Sequence, residues 1–210
     1  MRNRLAIRFA VEADLRFISH HDSLRLFERA LARAGLPLRY SEGFNPRPRL
    51  RLSLPRPVGV ASSDELLVVE LTEPLPPSVV MERLSPQMPA GLSLLGVEPI
   101  AESDRRLPSE ASYSLTLDAS QREGLAGRIA ELLAAECVPV TRIMHQDSKQ
   151  KSIDLRAYIL SIELTDEGVR WRQTITGTGT VRVNEVLEAL GLSARALLHR
   201  VRREQVCYQA

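Results

Sequence analysis

Apolar residues recur at every third or fourth position between Ser19 and Gly35, and this spacing predicts an amphipathic helix. Ser19 and Asp22 form a capping-box pattern at its start, because the serine oxygen can accept a free backbone N–H and the acid suits the positive end of the helix dipole. Gly35 and Pro37 predict its end. The inward face consists of Leu24, Phe27, Leu31 and Ala34, and the opposite face carries Arg25, Arg29 and Arg33 one turn apart.

Alternation of apolar and polar residues predicts strands on both sides of this helix. Pro76 and Pro77 open a second, short helix, since proline is well placed in a first helical turn. Phe17 and Ile18 either extend the first strand or begin another. The order β-α-β-β-α-β over residues 1–101 predicts a ferredoxin-like domain, one sheet with two helices on one face. The predicted strands are residues 4–9, 49–54, 65–71 and 92–97.

A similar order of elements follows a polar stretch, residues 102–110, which we interpret as a linker. Asn184 is the expected cap of a helix that Gly191 ends. We therefore expect an α+β fold of two ferredoxin-like (βαββαβ-type) subdomains packed in tandem, residues 1–101 and 111–210. The predicted elements of the second half are strands 113–117, 138–144, 159–164, 169–175 and 202–208, and helices 122–136, 184–190 and 194–200.

Composition places the chain among globular proteins. It has 210 residues, of which 44% are hydrophobic, and no apolar run approaches twenty residues. We expect a soluble, cytoplasmic protein, since no secretory signal is apparent. The net charge of +2 is unevenly spread: residues 1–57 hold twelve arginines and five acidic residues, a net charge of +7, which leaves −5 for the remainder. Such asymmetry indicates either a basic face for a polyanion or a solvated arginine-rich surface.

The two cysteines, Cys137 and Cys207, are far apart in sequence and belong to no CxxC pair. This spacing argues against a zinc site or an iron–sulfur cluster. We therefore expect no metal and no cofactor on this chain, and two ordinary thiols.

Residues 41–48, SEGFNPRP, form the most distinctive loop of the sequence, because a glycine and two prolines limit its shapes. Rigid polar loops often bind ligands. If the ligand is RNA, Phe44 is placed to stack a base, and the arginines of the loop and of the strand after it to hold phosphates. The candidate ligand-binding residues here are Ser41, Phe44, Asn45, Arg47, Arg49 and Arg51, together with Arg25 and Arg29.

A second candidate segment holds Lys149 and Lys151, the only lysines of the chain. Lysine is a compact charge that can meet phosphate or lose its proton when buried; the alternative is a chance occurrence on a mobile loop. Asp154 and Arg156 share a side if the segment is extended, so that they either pair with each other or line a groove with Tyr158.

Catalytic signals are few. His20, Lys149 and Lys151 are the weak catalytic candidates, with helix capping or phosphate contact as the alternative for the histidine. The stretch from Thr176 to Thr180, TGTGT, lacks the spacing and lysine of a P-loop, and we interpret it as a connector or bulge.

The motifs together resemble the radical SAM-linked proteins of the DUF2344 family. The resemblance covers almost the whole chain and rests on LRLFERALARAGLPLRYSEGFNPRPRLRLSLPRPVG, SKQKSIDLRAYI and VNEVLEALGL. It implies a partner, because members are encoded beside, or fused to, a radical SAM enzyme with a B12-binding-type domain. This chain lacks the CxxxCxxC triad of such enzymes, so an iron–sulfur cluster and SAM are implied for the partner alone. Ala157 stands where many relatives have proline.

The leading hypothesis is a non-catalytic companion of a radical SAM enzyme that binds an RNA substrate, tRNA or rRNA. A second hypothesis is an enzyme that cleaves or modifies RNA itself. A third is a pure interaction module that docks the radical SAM partner.

Overall fold

The computed structural model describes residues 3–143 and 150–209. Their contacts divide the chain into two compact units: unit 1 is Met1–Pro108 with Tyr208–Ala210, and unit 2 is Ser109–Cys207. The chain is a mixed α+β protein whose sheet pairing is mostly antiparallel.

Unit 1 places its elements in the order β-α-β-β-α-β. Its strands are neighbours in the order β4-β1-β3-β2, and the three pairs β1–β4, β1–β3 and β2–β3 are antiparallel. The elements are β1 (Asn3–Val11), α1 (His20–Arg33), β2 (Leu50–Leu52), β3 (Ala61–Leu71), α2 (Pro77–Leu84) and β4 (Leu92–Ile100).

The alternation in β1 determines which of its side chains enter the main hydrophobic cluster of unit 1, while Ala6 is buried in a smaller cluster with Leu66 and Val68. One buried cluster contains Leu5, Ile7 and Phe9 together with Phe27 and Leu31 of α1. The rings of Phe9 and Phe27 pack edge to face, with their centroids 4.7 Å apart. Burying a side chain of this size stabilises a fold by about 1.5–3 kcal/mol. The apolar stripe of α1 and the odd-numbered residues of β1 therefore form the core of unit 1, as their periodicities predict.

The ends of α1 follow the capping pattern of the sequence. The hydroxyl of Ser19 accepts a hydrogen bond from the backbone N–H of Asp22 at 3.1 Å. After the helix, Gly35 adopts a φ of +63°, a conformation that glycine reaches without strain.

The segment before α1 differs from the prediction. Phe17 belongs to a short 3-10 helix, Ala13–Phe17, and extends no strand. Arg56 holds this turn in place, because its guanidinium donates to the carbonyls of Arg16 at 2.8 Å and Leu15 at 3.0 Å. The alternation of polar and apolar residues near Phe17 therefore does not specify a strand, and a distant arginine stabilises the turn instead.

Unit 2 contains two sheets. The larger has the strand order β10-β5-β9-β8, with β5–β9 and β8–β9 antiparallel, and the smaller is the antiparallel hairpin β6–β7. The elements are β5 (Leu107–Thr116), α3 (Ala119–Arg122), α4 (Leu125–Ala134), β6 (Pro139–Ile143), β7 (Gln150–Asp154), β8 (Ile159–Thr165), β9 (Gly168–Thr174), α5 (Val183–Ala189), α6 (Ala194–Leu197) and β10 (Val201–Gln209).

Stacked aromatic rings mark the core of unit 2. Tyr113 and Trp171, neighbours across β5 and β9, stack with ring centroids 5.0 Å apart. The indole N–H of Trp171 donates to the side-chain oxygen of Gln173 at 3.0 Å, and the amide of Gln173 donates to the carbonyl of Val181 at 2.8 Å. The indole is therefore buried with its polar group satisfied, as a buried tryptophan requires.

Three predictions for unit 2 need correction. The predicted helix 122–136 is found as the shorter α4, and Gly124, with a φ of +70°, separates α4 from α3, which shares only Arg122 with the predicted range. Asn184 caps nothing: α5 begins one residue earlier, and the carboxylate of Glu185 accepts the free N–H of Arg182 at 2.7 Å. Part of the predicted linker belongs to β5, which already begins at Leu107.

In the described parts of the chain, no helix is both long and apolar enough to cross a membrane.

Candidate functional site

A groove of about 510 Å³ runs beside α1 in unit 1, and three arginines of that helix line it. Arg25, Arg29 and Arg33 are exposed and lie four residues apart, so each rises about 6 Å above the last along the helix axis. Opposite charges contribute little: Asp22 is the one acidic residue among the groove's lining residues. The rest of the lining is Leu15, Ile18, Leu26, Gln87, Met88 and Pro89.

Neighbouring groups hold part of this arginine row in place. Arg33 donates from Nε to the side-chain oxygen of Gln87 at 3.2 Å and from Nη2 to its carbonyl at 2.9 Å. The pKa of Asp22 is lowered, first by the hydrogen bond from the hydroxyl of Ser19 at 2.6 Å, and to a smaller extent by the charge of Arg25. The groove therefore contains three cations and one ionised carboxylate at neutral pH.

His20 begins α1 and is partly buried. Burial lowers its pKa, and so does the neighbouring ring of His21, whose centroid is 6.1 Å away. Its Nδ1 is shielded from solvent and has no hydrogen-bond partner. Burial therefore favours the neutral imidazole, and among the described residues no group hydrogen-bonds Nδ1 as the carboxylate of a catalytic dyad would.

The SEGFNPRP loop is closed at its base. The N–H of Ser41 donates to the carbonyl of Arg47 at 2.8 Å, and the N–H of Arg47 donates to the hydroxyl of Ser41 at 3.0 Å. Gly43 has a φ of +131°, which favours glycine. Phe44 is fully exposed in this loop, and Asn45 and the side chain of Arg47 are exposed as well. Ser41 thus fixes the loop that presents the aromatic ring.

Arg49 and Arg51, which follow the loop, are engaged with the protein itself. Arg49 lies 3.8 Å from the carboxylate of Glu70. Arg51 donates from Nη2 to the carbonyl of Arg105, and burial, followed by repulsion from Arg4, lowers its pKa. Both guanidinium groups are half-buried, in contrast to Arg47.

A second pocket, of about 300 Å³, lies in unit 2 and brings together three predicted site residues, Lys151, Asp154 and Tyr158. Thr178 and Thr180 of the TGTGT stretch line it too. This stretch forms a tight turn in which Thr176 and Gly179 exchange two backbone hydrogen bonds, of 2.9 and 3.0 Å. The TGTGT repeat is visible in the sequence, but its interpretation as a connector did not predict that Thr178 and Thr180 line a pocket. Arg142, a further lining residue, has no sequence signal that we recognise.

Asp154 and Arg156 stabilise the local backbone. Asp154 accepts the N–H groups of Val138 at 2.9 Å and Arg156 at 3.0 Å, and its pKa is lowered, first by the bond from Val138. The guanidinium of Arg156 donates to the carbonyls of Leu133 at 3.2 Å and Ile159 at 3.0 Å. Lys149 lies outside the described residues.

The third pocket, about 420 Å³, lies against the large sheet of unit 2. Its lining charges balance, because the two arginines Arg170 and Arg172 are matched by the two glutamates Glu163 and Glu204. A polyanion therefore finds less net positive charge here than along α1. The lining residues are Ser112, Tyr113, Ser161, Glu163, Arg170, Trp171, Arg172 and Glu204.

Metal-binding geometry is not found in the described ranges, 3–143 and 150–209: they contain no group of three His, Cys, Asp or Glu side chains that could hold an ion. Cys137 and Cys207 are exposed, free thiols. Burial, followed by interaction with Asp154, raises the pKa of Cys137, so the geometry does not activate this thiol.

Fold and sites together define a mixed α+β protein of two units, with a basic groove in one and a polar pocket in the other. Over residues 4–188 the chain matches the model of the DUF2344 family, described as an uncharacterized protein conserved in bacteria, and it belongs to that family. This match confirms the family predicted from the SEGFNPRP and SKQKSIDLR motifs. A search of curated proteins found no match.

Proposed function

We propose that this protein is a non-catalytic accessory subunit that binds an RNA substrate, tRNA or rRNA, for a radical SAM enzyme. The observation that carries the RNA part is the arginine row of α1, because Arg25, Arg29 and Arg33 all line one groove. Arginine is well suited to this role, since its planar fork of donors matches phosphate geometry.

Phe44 supports the same function. Proteins bind unpaired RNA by stacking bases on exposed aromatic rings, and such a ring is most useful when its backbone is fixed before binding. The bonds between Ser41 and Arg47 close the loop beneath Phe44, whose side chain is fully exposed. The fully exposed ring of Phe44 does not pack against other described residues, and stacking on an RNA base would explain why it is presented on a hydrogen-bonded loop.

The association with a radical SAM enzyme rests on the family resemblance. The chain has only two cysteines, so it cannot supply the three thiolates that hold such a cluster. The cluster and SAM would belong to the partner. Co-expression with the neighbouring radical SAM protein tests this part, and we expect the two chains to co-purify after nuclease treatment.

Salt-dependent RNA binding is the test of the function. A protein that neutralises phosphates releases counterions. For single strands, the slope of the logarithm of the binding constant against the logarithm of the salt concentration becomes more negative by about 0.7 for each phosphate contact. We expect the double variant Arg25→Gln with Arg29→Gln to have a slope that is less negative by roughly 1.4, because two phosphate contacts are lost. Arg83→Gln is the matched control, because Arg83 is an exposed arginine of α2 outside the groove lining. Failure of the wild-type protein to bind RNA at low salt would refute the function.

We further propose that both units are ferredoxin-like modules. Unit 1 has the order β-α-β-β-α-β and the strand order β4-β1-β3-β2. In unit 2, the same pattern follows if the β6–β7 hairpin is an insertion: β5, α4, β8, β9, α5 and β10 succeed one another, and the strand order is β10-β5-β9-β8. Deletion of the hairpin, combined with Glu185→Leu so that no buried carboxylate loses Arg142, should then leave the larger sheet folded, as measured by circular dichroism.

A further inference from the structure

We propose that the groove beside α1 holds the base of an unpaired nucleotide while the arginine row holds its phosphates. This inference rests on the proposed function and specifies the form of RNA that is bound, single-stranded RNA or a loop. A row of cations alone would bind any polyanion. The apolar residues that line the groove beside this row are what favour a nucleotide over other polyanions.

The groove has the size and the composition of a ligand site. Its volume of about 510 Å³ lies within the range of roughly 300–1,000 Å³ that is usual for small-molecule pockets. Its apolar lining comes from three separate segments of unit 1, the turn before α1, α1 itself and the turn after α2. The apolar residues are Leu15, Ile18, Leu26, Met88 and Pro89. A flat, apolar base with charged phosphates attached is complementary to this combination.

The charges of the groove are not those of a simple polyphosphate site. Asp22, in the first turn of α1 before the three arginines, lines the same groove, and the hydroxyl of Ser19 donates to its carboxylate at 2.6 Å, which favours the ionised form. A carboxylate repels phosphate but accepts the amino group of a base, as Asp and Glu do with cytosine N4. We therefore expect a base that carries an amino group, cytosine or adenine, to be preferred over uracil at this position.

Double-stranded RNA does not offer this ligand. In an A-form helix the bases are paired and stacked, the major groove is too deep and narrow for side chains, and sequence-specific proteins read unpaired loops instead. Only an unpaired nucleotide can place its base against Leu26 and Met88 while its phosphates contact Arg25 and Arg29.

Binding of one 12-nucleotide RNA, measured at constant salt as a single strand and as a duplex with its complement, tests the inference. We expect the duplex to bind about fivefold or more weakly, since each stacked base contributes a factor of roughly five or more. Met88→Gln, which makes the lining polar without changing charge, should weaken single-strand binding several-fold and leave duplex binding unchanged. Met81→Gln, on α2 and outside the groove lining, is the matched control.

The outcomes separate the two proposals. Absence of all RNA binding overturns both. Equal binding of single strand and duplex, with no effect of Met88→Gln, overturns the nucleotide site and leaves RNA binding standing. Binding of a Glu-rich amphipathic peptide more tightly than the single strand, with that preference lost in Met88→Gln, also overturns it, because the groove then belongs to a protein partner.

Photocrosslinking gives a measurement on the unaltered protein, in case Met88→Gln unfolds. A single-stranded RNA rich in cytosine, irradiated with ultraviolet light, should crosslink to the peptides that contain Leu26 or Met88. Crosslinks confined to other segments, in a sample that binds the RNA, would contradict the inference. Asp22→Asn should remove the preference for cytosine over uracil while the salt slope stays the same.

Discussion

Arg142 and Glu185 form a two-point ion pair in unit 2: Nε lies 2.8 Å from Oε1 and Nη2 lies 2.7 Å from Oε2. Both side chains are largely buried, with exposed fractions of 15% and 7%. Arg142 also donates to the carbonyl of Thr180 at 3.1 Å, and Glu185 also accepts the N–H of Arg182 at 2.7 Å. The pair therefore joins the β6–β7 hairpin to the turn before α5 and to the start of that helix.

Removing one member of this pair should destabilise unit 2. Glu185→Ala leaves the guanidinium of Arg142 without its carboxylate, and loss of one partner from a buried pair costs about 3–5 kcal/mol. We expect a loss near the lower limit, about 3 kcal/mol, because Arg142 keeps partial solvent contact. Urea unfolding measures it. The double variant Arg142→Met with Glu185→Leu should lose less than Glu185→Ala; an equal or larger loss would show that the pair is not the cause.

The same pair should make the protein sensitive to acid. Burial raises the pKa of Glu185. The hydrogen bonds from Arg142 and from the N–H of Arg182, together with the charges of these two arginines, lower it by a larger amount, so the net shift is downward from 4.5. A carboxyl with a depressed pKa in the folded state stabilises the fold above its unfolded pKa, and this stabilisation disappears as the pH falls through the folded pKa. We expect wild-type stability to fall more steeply below about pH 4.5 than that of Glu185→Gln. Glu188→Gln, an exposed change on α5, is the control; a parallel decline in all three proteins would count against the assignment.

Local periodicity explains how much of the fold follows from sequence. The alternation of Leu5, Ile7 and Phe9 and the helical spacing of Phe27 and Leu31 are signals contained within single elements, and the structure buries these residues together. Strand β7 was missed because its residues, QKSID, are mostly polar and show no alternation of apolar side chains. A strand of this kind is specified by its partner β6, and not by its own pattern.

The site was less predictable, because long-range partners decide which arginines face solvent. The sequence has one run of alternating arginines, Arg47, Arg49 and Arg51. In the structure, Arg51 donates to the carbonyl of Arg105 and Arg49 lies beside the carboxylate of Glu70. These partners lie 54 and 21 positions away. No local pattern contains that information. The arginine row of α1 was predictable, since helical spacing alone places Arg25, Arg29 and Arg33 on one face.

This difference predicts opposite effects at Arg47 and Arg51. Arg47→Gln removes an exposed charge, and we expect weaker RNA binding with stability within about 0.5 kcal/mol of wild type. Arg51→Gln removes the donor to the carbonyl of Arg105 and should destabilise the protein by about 0.5–1.5 kcal/mol, the usual net contribution of one hydrogen bond. Thermal unfolding and RNA affinity, measured on both variants, separate the two roles. A stable Arg51→Gln protein with impaired RNA binding would assign Arg51 to the ligand instead.

Gly168, the first residue of β9, should be intolerant of any side chain. Its φ is +149°, and a Cβ atom there would overlap the carbonyl oxygen of Leu115 in the neighbouring strand. We expect Gly168→Ala to lower the free energy of unfolding by about 3 kcal/mol or more, since the strand must move away from β5. Gly177→Ala is the matched control: open space surrounds that position, and its expected effect is within about 0.5 kcal/mol. Similar chemical-denaturation midpoints for the two variants would contradict the steric argument.

Phe44 allows stacking to be separated from apolar contact. If its ring stacks on a base, Phe44→Leu should weaken single-stranded RNA binding by about 1–3 kcal/mol, whereas Phe44→Trp should retain it, because the indole offers a larger π-face. Neither change should alter the thermal stability, since the ring of Phe44 is fully exposed. Fluorescence anisotropy with a labelled single strand measures both affinities. If instead Phe44→Leu binds RNA as wild type does and Phe44→Ala loses co-purification with the radical SAM partner, the loop is a protein contact and the RNA is bound elsewhere.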